Sequence, residues 1–214
     1  MASRTAFKSI PSVWSILANA GVLLVVSSAE GQSARRVPGY WVGLAAAGAS
    51  GGLACEGCTD TDSRLGPSAV VTLGKTVSRK VAFGLEVSGW RRSIDRAVDH
   101  QGYLMATAYV FPGWAGTYLS GGVGLGRFVS AIDRERDRTS SLAGAVRLGV
   151  GYDMPLGREL SFAPFVSYYR STAADLKVNG NSAGTDITQH LLQVGAGLQW
   201  NFTGAISFPA PTED

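Results

Sequence analysis

The pattern of apolar and polar positions is clearest in residues 188–202, which read TQHLLQVGAGLQWNF. From His190 the residues alternate between two faces. One face is apolar and ends in two aromatic residues: His190, Leu192, Val194, Ala196, Leu198, Trp200 and Phe202. The other face is mainly small or polar: Leu191, Gln193, Gly195, Gly197, Gln199 and Asn201. A period of two indicates a β-strand, and a strand of about 10 residues with these two faces is typical of a transmembrane β-barrel.

Seven earlier segments are also predicted to be strands, which gives eight in total. They are residues 39–47, 67–76, 81–90, 102–111, 117–128, 142–152 and 160–171. Most of them alternate in the same way, with Gly, Ala or Ser opposite Val, Leu or Phe. Residues 102–111 are apolar on both sides, so the pattern leaves the facing of that strand open.

The connections between these strands alternate between long and short. The long ones are residues 50–66, 91–101, 130–141 and 172–187, whereas the short ones are 77–80, 112–116 and 153–159. Outer-membrane barrels have an even number of strands, long external loops and short periplasmic turns. Aromatic residues near the predicted periplasmic ends would form an interfacial girdle: Phe111, Trp114, Tyr118, Tyr152, Phe162, Trp200 and Phe202. A soluble lipocalin-like barrel is the alternative, but it would need larger apolar residues inside.

Residues 1–29 have the pattern of a cleaved secretory signal peptide. Arg4 and Lys8 precede an apolar run of about 14 residues, which is too short for a spanning helix, and small residues follow at 27–29. Without the two leader cations the chain is nearer neutral than its formal charge of +3, and no basic stripe indicates nucleic-acid binding. We expect a lead-in at residues 30–38, a barrel at 39–202 and a short periplasmic tail at 203–214.

Four segments carry a resemblance to a known family: GVGLGRF at 122–128, VRLGVGYDMPLG at 146–157, LSFAPFVSYYR at 160–170 and VGAGLQWNF at 194–202. The chain resembles the small eight-stranded OmpA/OmpX-like outer-membrane barrels. That resemblance implies an all-β, antiparallel, up-and-down transmembrane barrel in the outer membrane of a Gram-negative-type bacterium. It also implies a monomer that contacts lipid and lipopolysaccharide, and that reaches the barrel-assembly machinery through its C-terminal strand.

Two charges fall on the predicted inner face at mid-barrel, Glu86 and Arg147. Eight strands leave a lumen just wide enough for side chains, and a lone charge there would be costly, so we expect the two to pair. Internal ion pairs are also known in barrels of the resembled family. Gln193, Gln199 and Tyr169 are expected to add to a polar plug. If strand shear separates the two heights, each charge would be hydrated instead.

Other residues with possible chemistry lie in the predicted loops. Cys55 and Cys58 are expected to form a local disulfide, since a secreted chain is oxidised. The sequence supplies too few further ligands for a metal site, and we expect no cofactor. The segment 132–138 reads IDRERDR, and its arginines are candidates for lipopolysaccharide phosphates: Arg134, Arg136 and Arg138. Self-paired charges in a strand extension are the alternative.

The sequence therefore predicts a non-enzymatic outer-membrane barrel that displays four surface loops for envelope structure, adhesion or surface contact. A narrow pore or path for small molecules is the second interpretation. A lipid A-modifying enzyme is the third, and it is disfavoured because neither His100 nor His190 begins the His-x-Ser arrangement of the deacylase type. We therefore expect no enzymatic activity.

Overall fold

The alternating segments form long antiparallel strands. In the computed structural model, residues 38–55, 64–94, 97–113, 116–132 and 138–202 are described. Their strands, in chain order, are β1 (Gly39–Cys55), β2 (Arg64–Ser78), β3 (Val81–Ile94), β4 (Ala97–Val110), β5 (Thr117–Ile132), β6 (Arg138–Tyr152), β7 (Met154–Pro155), β8 (Leu160–Ser171), β9 (Ala174–Val178) and β10 (Asn181–Phe202). No helix in this part of the chain is long and apolar enough to cross a membrane.

The strands close into a ring because β10 pairs with β1. Neighbours in sequence are neighbours in the sheet from β1 to β6, and β8 and β9 both lie between β6 and β10. Consequently β8 and β9 act as one strand with a break, and the ring has eight positions. The seam pairs Tyr40 with Phe202 at one end and Cys55 with Ile187 at the other. The predicted eight-stranded antiparallel up-and-down barrel is confirmed.

The barrel is apolar outside and largely polar or small inside. The exposed large apolar side chains include Leu44, Val71, Leu85, Leu104, Val123, Leu125, Val146, Leu148, Val194 and Leu198, which come from seven of the ring strands. A continuous apolar exterior of this size is typical of a surface that contacts lipid rather than water. Strand β4, whose inward and outward faces the sequence left open, follows the same rule. Tyr103, Met105 and Tyr109 point inward, and Leu104 and Val110 point outward.

The strands continue well past the predicted boundaries at one end of the barrel. Most of residues 91–101 form the ends of β3 and β4, whereas we predicted a charged loop there, and most of 172–187 belongs to β9 and β10. Since about 10 residues suffice to span a membrane, the extra length forms paired hairpins beyond the apolar exterior. The charged cross-strand partners that suggested a loop are compatible with exposed strands, as in the pairing of Arg92 with Asp99.

The aromatic girdle was predicted only in part correctly. Tyr152, Trp200 and Phe202 are exposed on the outer wall, Phe162 is half-buried, and Trp114 lies outside the described residues. Phe111 and Tyr118, in contrast, pack inside the barrel. The predictions for residues 1–29 and 203–214 also fall outside the described part of the chain, and the strands that bound the barrel begin at Gly39 and end at Phe202.

Candidate functional site in the barrel lumen

Glu86 and Arg147 meet inside the barrel. Glu86 lies on β3 and Arg147 on β6, strands that are not neighbours in the ring, so the two side chains approach each other across the lumen. Arg147 Nε lies 2.9 Å from Glu86 Oε1, and only 5% and 1% of the two side chains are exposed. A buried carboxylate and guanidinium tolerate this position because each neutralises the other.

Tyr169 joins the same two side chains. Its hydroxyl donates to Glu86 Oε1 at 2.6 Å and accepts a bond from Arg147 Nε at 3.2 Å. Arg147 also donates from Nη1 to Ser120 Oγ at 2.7 Å, and the Tyr109 hydroxyl donates to Glu86 Oε2 at 3.5 Å. We refer to these five residues as the charged layer. Ser120 and Tyr109 were not predicted as site residues, although the alternation of β5 placed Ser120 on the inner face.

Gln193 forms a second polar layer on the side of the long hairpins. Its amide nitrogen donates to Ser68 Oγ at 2.5 Å and to Ser88 Oγ at 2.7 Å, and Ser167 Oγ donates to its amide oxygen at 3.2 Å. Gln193 therefore ties together four strands, β2, β3, β8 and β10. Gln199 does not belong to this layer, because its amide bonds to Asn201 near the opposite end of β10.

Aromatic side chains fill the lumen at the end that holds the short turns. This aromatic end consists of Trp41, Tyr109, Phe111 and Tyr118. The Trp41 and Tyr109 rings meet edge to face with centroids 5.4 Å apart, and Tyr118 contacts both Tyr109 and Phe111 with centroids 5.7 Å apart. A cavity of about 60 Å³ lies between these rings and the charged layer.

Glycines make room for these rings. A Cβ atom at Gly74 would overlap the Trp41 indole, and one at Gly151 would overlap the Tyr118 phenol. On the other side of the charged layer, Trp90, Tyr103, Met105 and Leu191 form a further buried cluster with Tyr169. The lumen is thus occupied in successive layers along its length.

Comparison with solved structures places this architecture among known barrels. Neisserial surface protein A (NspA) aligns with a TM-score of 0.56 and 14% identity, over 76% of this chain and 97% of that one. Ail, the attachment invasion locus protein of Yersinia pestis, aligns with a TM-score of 0.56 and 13% identity, over 77% and 100%. The chain has the fold of the small outer-membrane β-barrels. No model of a protein family matches the sequence, and neither does any curated protein.

Several predicted site residues of this barrel lie outside the described part. Cys58, Arg134 and Arg136 lie in segments outside the described residues, and Cys55 and Arg138 are described only by their backbone, at the ends of β1 and β6. The disulfide and the lipopolysaccharide contacts of these arginines therefore stay predictions. Among the described residues, no group of three or more His, Cys, Asp and Glu residues could hold a metal ion.

Proposed function

We propose that this protein is a non-enzymatic outer-membrane barrel with a closed lumen, which acts through the hairpins that extend its strands beyond the membrane. The observation that carries the proposal is the charged layer, in which Glu86, Arg147 and Tyr169 bond to one another across the centre of the barrel. A route for ions or solutes would have to break this buried network, and breaking one buried charge pair costs several kcal/mol.

The exterior supports the same proposal. Its apolar belt fits a bilayer, and the strand extensions carry charged side chains such as Arg91, Arg92 and Asp99 beyond that belt. Neisserial surface protein A and the attachment invasion locus protein are named for surface location and attachment. At 13–14% identity, we take from them only the shared fold as support.

Single-channel recording in a planar bilayer tests the closed lumen. We expect the refolded wild type to be silent. Heat-modifiable mobility of the same protein in lipid vesicles shows that silence is not failed insertion. Steady conductance of the wild type that changes in Arg147→Ala would replace the closed barrel by a narrow pore.

Antibody binding to an epitope inserted into the protein, measured on intact cells, tests whether the long hairpins face outward. Inserted between β5 and β6, it should bind antibody on intact cells, because that connection lies at the end of the long hairpins. Inserted in the turn at residues 79–80, between β2 and β3, the same epitope should be detected only after the cells are permeabilised. The reverse labelling pattern would contradict the proposed orientation.

A further inference from the structure

The outer wall of the barrel carries a groove that the lumen does not explain. It has a volume of about 690 Å³ and runs across β2, β3, β4 and β5. Its floor is made of small residues, Ala69, Gly89 and Gly102, which stand directly opposite one another on three adjacent strands. Every strand around them presents bulky apolar side chains to the outside, so this patch is a depression in an otherwise filled surface.

The depression exists because two of the floor positions lack side chains. A Cβ atom at Gly89 would meet nothing within 4 Å, and one at Gly102 would meet only the Ser88 carbonyl oxygen at 3.8 Å. Neither glycine is therefore required by a close approach of other protein atoms. The space in front of them is available to a molecule outside the barrel.

Three basic side chains border the groove. Arg91 faces His100 across the β3–β4 pair, and Arg127 faces Gly102 across the β4–β5 pair. Arg91 and His100 are exposed, and so is Arg127. Since β3 and β5 are about 10 Å apart, the two guanidinium groups can converge on one small anion between them. Among the described residues that line the groove, none is acidic.

The wall below the groove is apolar. The next outward row toward the middle of the barrel consists of Val71, Val87, Leu104 and Leu125, which are 42–55% exposed. The groove thus has Arg91 and His100 above its floor, Arg127 beside the floor on β5, and a hydrocarbon-like surface beneath. That order of surfaces, charge then hydrocarbon, complements an anionic amphiphile standing along the wall.

We infer that this groove binds a phosphorylated lipid of the surrounding leaflet. Its phosphate lies between Arg91 and Arg127, because a guanidinium offers paired donors that match phosphate oxygens. One acyl chain lies over Gly89 and Gly102 and continues along Val87 and Leu104. The inference rests on the proposed position in the outer membrane, and it assigns to the barrel wall a lipid site separate from the lipopolysaccharide contacts predicted for Arg134, Arg136 and Arg138.

Lipid binding by refolded, detergent-solubilised protein tests the site, with lipid A as the probe and native mass spectrometry as the readout. Arg91→Gln combined with Arg127→Gln keeps side-chain length and should weaken binding about 100-fold, the loss expected for two charge-assisted contacts. The matched control is Arg170→Gln, an exposed arginine on β8 outside the groove, which should bind like wild type.

A second variant tests shape without changing charge. Gly89→Leu fills the floor and should weaken lipid A binding about tenfold, the range seen when a good apolar contact is lost. Gly121→Leu is its control, because Gly121 also faces outward and a Cβ atom there makes only contacts of 3.9 Å. Heat-modifiable mobility on gels shows that each variant is a folded barrel.

Three ligands separate the alternatives. Lipid A should bind wild type tightly, dephosphorylated lipid A should bind about as weakly as lipid A binds the double arginine variant, and inorganic phosphate should not displace lipid A. Unchanged binding in the double arginine variant, or equal binding of the dephosphorylated lipid, would overturn the inference, and displacement by phosphate alone would reduce the site to an anion site. A folded barrel that shows no conductance and no preference for lipid A would contradict this lipid site but would still support the closed lumen.

Discussion

The charged layer and the aromatic end close the same lumen by different physical means. In the charged layer, Glu86, Arg147 and Tyr169 are held by directional bonds, so each side chain depends on its partners. In the aromatic end, rings such as Trp41 and Tyr118 are held by shape against glycines that face them. A narrow barrel can therefore be filled in two ways. A hydrogen-bonded network loses its stability when one member is removed, whereas close packing loses stability in proportion to the volume that is changed.

The largest effect should come from leaving one charge alone. Arg147→Ala removes the partner of a buried carboxylate and is expected to lower the free energy of unfolding by about 3–5 kcal/mol. Glu86→Ala should have a comparable effect, and the double variant should be much less unstable than the sum. Urea titration in lipid vesicles measures all three. Additive losses would mean that the charged layer is not a coupled network.

A change of shape in the aromatic end should cost less. In Gly74→Val the new side chain overlaps the Trp41 indole, and we expect a loss of about 1–3 kcal/mol with a change in tryptophan fluorescence. Gly48→Val is the matched control, because a Cβ atom at Gly48 meets nothing within 4 Å and valine favours strands. If both variants unfold at the same urea concentration, shape does not hold the aromatic end together.

The smallest losses of unfolding free energy should come from the two tyrosines that bond to Glu86, and they should differ from each other. Tyr169→Phe removes a hydroxyl with bonds of 2.6 and 3.2 Å and should cost about 1–3 kcal/mol, since both bonds involve charged groups. Tyr109→Phe removes one bond of 3.5 Å, at the limit of a hydrogen bond, and should cost less than about 1 kcal/mol. The same urea titration measures both. An equal loss, or the opposite order, would show that Tyr109 belongs to the network as fully as Tyr169.

The sequence allowed the barrel and the centre of the charged layer to be predicted. The alternation of residues along a strand shows directly which side chains point inward, so charges such as Glu86 and Arg147 stand out on a face of small residues. It does not distinguish an aromatic residue that points into the lumen from one that points to an interface, and for that reason Phe111 and Tyr118 were misplaced. Nor does it show where strands end, because strand segments beyond the apolar belt that carry charged residues, such as Arg92 and Asp99, have the composition of a loop.

The wall groove was not predicted either. Gly89 and Gly102 each resemble any other strand glycine, and only the register of three strands brings them beside Arg127. Sites formed across strands depend on pairings between segments that are distant in sequence. The spacing along one strand therefore carries no sign of them.

The seam between β1 and β10 has a consequence for biogenesis. It joins the first strand of the ring to the last, with pairs from Tyr40 and Phe202 to Cys55 and Ile187. Until synthesis of β10 is finished, β1 therefore has a bare edge of backbone donors and acceptors, and such edges readily template aggregation. The chain must therefore be kept unfolded, or its edges shielded, until nearly all of it has been synthesised. The barrel can exist only as a complete ring.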